Sequence, residues 1–140
     1  MSVRVPMNDF GTEYEVLGPS LVKKVDTFFS KGSYILGPNV SAFEQAFARF
    51  LHAGHAVGVG NGLEAIHIAL LGLGIGKGDE VITVSNSDVA TALAVLCSGA
   101  IPVFVDVDEY FHLDVNLVEA AITKKTKAIL PVDLFGQIAD

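Results

Sequence analysis

The stretch that decides the fold is Val81–Val105, VITVSNSDVATALAVLCSGAIPVFV. It opens on four residues rich in β-branched side chains, Val81–Val84. A polar turn, Ser85–Asp88, follows, and Val89–Leu96 is a compact apolar run of helical length. After Gly99, Pro102–Val105 is a second short apolar strand. Strands with no polar alternation, joined by a helix, imply parallel neighbours covered on both faces.

The same grammar extends in both directions. Upstream, Ala56–Val59 reads as a strand and Gly62–Leu73 as a helix. Downstream, a helix runs from the N-cap Asp114 to Ile122, and Ala128–Val132 is the last strand. Before residue 56 the pattern is helical only. Pro19–Ser30 carries Leu21, Val22, Val25, Phe28 and Phe29 at helical spacing and stops near Gly32. A second helix is expected over Ser41–Ala53, opened by Ser41-Ala-Phe-Glu44 as a capping box and faced by Phe43, Ala46, Phe47, Phe50 and Leu51. The expectation is one incomplete domain over residues 1–140. It has an N-terminal helical segment, 1–55, and an α/β core, 56–140, whose sheet stops without a closing helix.

Composition restricts the function classes. The 140 residues carry a net charge of −7, which disfavours nucleic acid or an anionic membrane as partner. Hydrophobic residues make up 51% and charged ones 18%, so part of the apolar surface is expected to face another subunit or further chain. The N-terminus shows no signal-peptide pattern and no run is long enough for a membrane helix, so a cytoplasmic protein is expected. Cys97 is alone, which excludes a disulfide framework within the chain. Its place in an apolar helix suggests a buried thiol.

Glycines mark the candidate site. In GVGNGLEAIHIAL, Gly58–Leu70, Gly58, Gly60 and Gly62 let the backbone approach an anion, and Gly62-Leu63-Glu64 presents N–H groups at a helix start. The spacing is neither a dinucleotide fingerprint nor a P-loop, and an ordinary strand-to-helix turn fits it as well. The second glycine run, Gly72–Gly78, follows a helix and reads as a C-cap and turn. Asp106 and Asp108, in FVDVDEY, could hold Mg²⁺ or act as aspartyl nucleophile and acid; solvated turn carboxylates are the competing reading. His52, His55, His67 and His112 have no metal-ligand spacing.

Taken in order, KGSYILGPNVSAFEQAFARF, GNGLEAIHIAL, LGIGKGDEVITVSNSDVATALAVLCSGAIPVFVDVD and KTKAILPVDLFGQIAD resemble the DegT/DnrJ/EryC1/StrS family of sugar aminotransferases, in its N-terminal portion. The resemblance implies part of a fold-type-I pyridoxal-phosphate-transferase large domain: a parallel-type sheet flanked by helices and preceded by two N-terminal helices. It implies pyridoxal phosphate as cofactor and a homodimer whose interface lies near Gly32–Pro38. The implied reaction moves an amino group from an amino acid, with glutamate as the expected donor, to a nucleotide-linked keto sugar. The positions that the resemblance aligns with cofactor binding are Asn61, Gly62, Leu63 and Asp88, with the phosphate on the Gly62 and Leu63 N–H groups.

The sequence also departs from the family. Leu63 stands where Thr is common, Asp88 where an aromatic ring would stack on the pyridine, and Asp133 where His is frequent. The family's Schiff-base lysine lies downstream of the matched segment. Lys31, in TFFSKG, imitates its motif but sits in the wrong region, and Lys77, Lys124, Lys125 and Lys127 lie in turns. No catalytic residue and no metal ligand is therefore assigned, and these 140 residues alone are expected to be inactive. A truncated or degenerate non-catalytic oligomer or binding module is the alternative.

Overall fold

The computed structural model describes residues 8–139, and the chain divides into two compact units, 1–58 and 59–140. Of VPMNDF, residues 5–10, which resembles the family's opening strand and turn, residues 5–7 lie outside the described residues.

The first unit contains two helices. Helix α1 spans Phe10–Lys31. Its N-cap is Asp9, whose carboxylate accepts from the Thr12 N–H at 3.1 Å and from the Thr12 hydroxyl at 2.8 Å. These bonds satisfy a free donor at the helix start and hold the Asp9 carboxyl below its ordinary value. The sequence reading began this helix at Pro19, but Pro19 lies inside it. A proline is favoured in a first turn, which made it look like a start; the Asp9 cap nucleates the helix earlier. Gly32, at φ 66°, ends it, as expected.

Helix α2 spans Pro38–Phe50. Its N-cap is Gly37, with no side-chain cap, so the capping box expected at Ser41–Glu44 does not form. Ser41 is already inside the helix, and its N–H bonds to the Gly37 carbonyl. The Glu44 carboxylate instead accepts from the Gly58 N–H at 2.7 Å. Pro38 at the first helical position is the signal that outranks the Ser-x-x-Glu pattern.

The second unit is an α/β layer structure. Helix α3 (Gly62–Gly72) precedes strand β1 (Glu80–Val84), helix α4 (Val89–Cys97), strand β2 (Ile101–Val105), helix α5 (Val115–Ala121) and strand β3 (Thr126–Ile129). The sheet order is β2-β1-β3, all parallel. Val84 pairs with Val105 and Ile82 with Ile129.

Alternation along β1 divides the core. Val81 points to one face, where Leu70 of α3, Ile75, Val95 of α4 and Ala100 close over it. Ile82 and Val84 point to the other, against Val105, Leu113 and Val118 of α5. Both faces are thus covered, the condition that the uninterrupted apolar strands implied. Thr83, fully buried, satisfies its hydroxyl on the Leu130 carbonyl at 2.8 Å.

Three local expectations are corrected. Ala56–Val59 forms no strand: it has no ladder partner among the described residues, and Val57 is 78% exposed. Strand β3 starts and stops earlier than the expected Ala128–Val132 or slightly longer, because its first residue, Thr126, pairs with Glu80, the first residue of β1. Cys97 is exposed, because the last turn of α4 carries it away from the Ala94 and Val95 face. The glycine run after α3 is a turn, as expected, with Gly74 at φ 73° and Gly78 at φ 93°. No described helix is long and apolar enough to cross a membrane.

Candidate functional site

The fold brings two helix starts to one edge of the sheet. Helix α4 crosses from the carboxyl end of β1 back to the start of β2, so its own N-terminus lies at the carboxyl edge. Helix α3 packs on the same face and delivers the chain to the start of β1, so its N-terminus faces that edge as well. Ligands in open α/β sheets gather there, because N–H groups and positive dipole ends converge.

At the start of α3, Asn61 is the N-cap in extended conformation. Its Oδ1 accepts from the Glu64 N–H at 2.9 Å, and the Ala65 N–H reaches the Asn61 carbonyl at 3.0 Å. Glu64 turns back so that Oε2 accepts from the Gly60 N–H at 2.9 Å. A Cβ on Gly60 would lie 2.6 Å from that oxygen, so the glycine is what lets the carboxylate close the turn. These bonds account for the Gly60, Glu64 and Ala65 donors. Among the described residues neither the Gly62 nor the Leu63 N–H has an acceptor. Gly62 is exposed, and a Cβ there would meet nothing within 4 Å. The result is a pair of free donors at an open helix start, the arrangement that suits a phosphate.

The start of α4 is different. Asp88 is its N-cap, and Oδ1 accepts from the Ala90 N–H at 2.8 Å. Ser87 and Thr91 share a 2.7 Å hydroxyl–hydroxyl bond beside it. The carboxylate thus supplies an anion to its own helix dipole. It lines the same edge as Gly62 but offers no ring face.

The remaining candidates are held in loops. Asp106 Oδ1 accepts from the Val107 N–H at 2.8 Å. Asp108 Oδ1 accepts from the Tyr110 and His112 N–H groups at 2.8 and 2.9 Å, and its Oδ2 lies 3.8 Å from His112 Nδ1. Those bonds shape the turn after β2, and among the described residues no cluster of His, Cys, Asp and Glu could hold a metal ion. Asp133 Oδ1 accepts from the Ala139 N–H at 3.0 Å. The sequence reading missed the Gly60–Glu64 bond, although Asn61-Gly-Leu-Glu64 carries the same N-cap signature it had assigned to Ser41–Glu44.

This is a doubly covered parallel α/β unit with an open anion cup at its carboxyl edge. Residues 17–140 match the DegT/DnrJ/EryC1/StrS aminotransferase family. The chain belongs to that family. It is 47% identical, over 99% of its length, to a Geobacillus stearothermophilus protein named a pleiotropic regulatory protein, and covers 37% of that relative. It is 49% identical, over 91% of its length, to the dTDP-3-amino-3,4,6-trideoxy-alpha-D-glucose transaminase of Micromonospora megalomicea subsp. nigra, and covers 34% of it. The crystal structure of S. venezuelae DesV in complex with a ketimine intermediate superposes with a TM-score of 0.91 at 45% identity, covering 99% of this chain and 38% of DesV. The chain thus spans little more than a third of the length of these three relatives.

Proposed function

We propose that this chain forms the cofactor-phosphate end of a pyridoxal-phosphate-dependent aminotransferase. The complete enzyme would move an amino group from an amino acid, glutamate, to a nucleotide-linked keto sugar. The observation that carries this reading is the pair of N–H donors on Gly62 and Leu63 with no protein acceptor among the described residues, at the carboxyl edge of a parallel sheet in a chain of this family. The dTDP-sugar transaminase among the relatives supports the substrate class.

Pyridoxal phosphate, when bound, supplies the electron sink that transamination requires. This chain's part is to hold and orient it. The Gly62 and Leu63 N–H groups would take the phosphate, helped by the positive end of α3. Asn61 caps the helix without adding charge, and Glu64 fixes Gly60 so that the turn keeps its shape. The phosphate end of the cofactor fits these residues. The ring end does not fit Asp88, whose carboxylate caps α4 and has no π-face to stack.

The catalytic lysine is proposed to lie outside these 140 residues, which by themselves would bind without turnover. The proposal also covers residues 1–140 as one part-domain, a homodimer in the cytoplasm, and the exposed apolar helix faces, Phe43 and Phe47 among them, as surface that a subunit or further chain covers. A second reading, a non-catalytic binding module, is favoured by Asp88 alone.

Equilibrium dialysis against pyridoxal phosphate and pyridoxal tests the cup. The phosphate ester should be retained and the free aldehyde should not. Leu63→Pro, which removes one donor from a first turn that tolerates proline, should weaken retention. Equal retention of both compounds would overturn the cup. Asp88→Tyr should strengthen retention if the ring lies at this edge; no change would favour the second reading.

A further inference from the structure

Gly60 is a glycine for a reason that its own backbone does not supply. Its φ lies outside the left-handed region in which glycine is favoured. What a side chain there would meet is the Glu64 carboxylate, with a Cβ 2.6 Å from Oε2 and 3.5 Å from Oε1. Those oxygens end a flexible side chain, so a larger residue at 60 would push the carboxylate off the Gly60 N–H rather than strain the chain. The glycine therefore serves the 2.9 Å bond from that N–H to Glu64 Oε2.

Two bonds to Glu64 are nested. The inner one runs from the Glu64 N–H to Asn61 Oδ1, and the outer one joins the Glu64 carboxylate to Gly60. Gly62 and Leu63 lie in the segment that both bonds close, and their N–H groups have no acceptor among the described residues. A segment closed twice has already lost freedom that a ligand would otherwise have to restrict.

The charge of Glu64 acts in the other direction. Among the described residues the one basic–acidic contact within 4.0 Å is His112 to Asp108, so no cation neutralises Glu64. A carboxylate favours the helix start but opposes a phosphate placed beside it. Gln, an acceptor of the same length, would hold Gly60 without that repulsion. The two effects of Glu64 are opposed and separable.

We propose that Glu64 is a positioning residue of the cup. Through Gly60 its carboxylate holds the Gly62 and Leu63 N–H groups in place for the cofactor phosphate, while its charge limits how tightly a dianionic phosphate is kept. The proposal rests on the phosphate reading stated above and deepens it.

Equilibrium dialysis of the 140-residue chain and its variants against pyridoxal phosphate, at low and high salt, is the test. Glu64→Gln keeps the bond and removes the charge, so it should bind about fivefold more tightly at low salt. That gain should vanish near about 1 M salt, where screening is complete within a few ångströms. Gly60→Ala keeps the charge and displaces the carboxylate, so it should bind about fivefold more weakly, the size of one lost hydrogen bond. In a Glu64→Ala background, Gly60→Ala should have no further effect, because the contact through which it acts is gone. All variants should keep the parent's circular dichroism spectrum. Parent-like binding by Glu64→Gln at every salt concentration would overturn the charge effect. A Gly60→Ala loss that is absent, or equally large without Glu64, would overturn the positioning. Were the parent to retain pyridoxal phosphate no better than pyridoxal, the cup would fail and the role of Glu64 with it. Retention by the parent with no difference among the variants would count against Glu64 alone.

Discussion

The two helix starts at the carboxyl edge of the sheet differ by one capping residue. Asn61 opens α3 and Asp88 opens α4, and both side chains bond a first-turn N–H at close to the same distance, 2.9 and 2.8 Å. Asn and Asp are almost equal as N-caps. They differ in what remains for a ligand. The amide cap is neutral and leaves Gly62 and Leu63 as free donors on a positive helix end. The carboxylate cap has already supplied the anion which that end favours. Two starts of equal structural quality therefore have unequal capacity to hold a phosphate.

The scaffold shared by both starts should give the largest effect. Ile82, fully buried in β1 against Val84, Val105 and Leu113, anchors the strand between them. Ile82→Ala should cost about 2–5 kcal/mol in denaturant unfolding and disorder both starts together. Smaller and separable effects are expected at the caps. Asn61→Ala and Asp88→Ala should each lose about 1 kcal/mol, and the double variant should lose close to the sum if the two helices are capped independently. Asn61→Asp sharpens the comparison further. Stability should stay within about 0.5 kcal/mol of the parent, because either residue caps well, while pyridoxal phosphate binding falls about fivefold as a charge enters the cup. An Asn61→Asp protein that binds as the parent does would show that cap charge does not distinguish the two starts.

The smallest effect lies at a third cap, in the other unit. Asp9 is held below its ordinary value by the Thr12 N–H and hydroxyl. A depressed carboxyl contributes stability that is present above its unfolded value, near 3.8, and is lost as pH falls through the lower folded value. Helicity of α1 should thus decline below pH 3.8, by circular dichroism, and Asp9→Asn should flatten that decline.

Much of the second unit was legible because its signals are local and agree with one another. Apolar strands, a helix between them and glycine turns all point to a parallel sheet. The failures share a different cause: each depended on a partner the local pattern does not name. Ala56–Val59 has strand composition but no neighbour to pair with. Ser41–Glu44 has the letters of a capping box, yet Pro38 had already begun the helix and Gly58 offered Glu44 an N–H fourteen residues away. The true box-like bond, Glu64 to Gly60, lay within the stretch already singled out for its glycines. The positions Gly62 and Leu63 were legible through family resemblance. That Asp88 is a working cap was not, because an aromatic position replaced by a carboxylate reads from sequence only as a loss.

The central claim is that α3, and not α4, opens the anion cup. Backbone amide shifts of the 140-residue chain, followed by ¹H–¹⁵N correlation NMR during titration with pyridoxal phosphate, test it most directly. The account predicts saturable downfield shifts largest at Gly62 and Leu63, with Val89 and Ala90 little changed. Shifts centred on Val89–Thr91, or none at Gly62 and Leu63 at saturation, would contradict it.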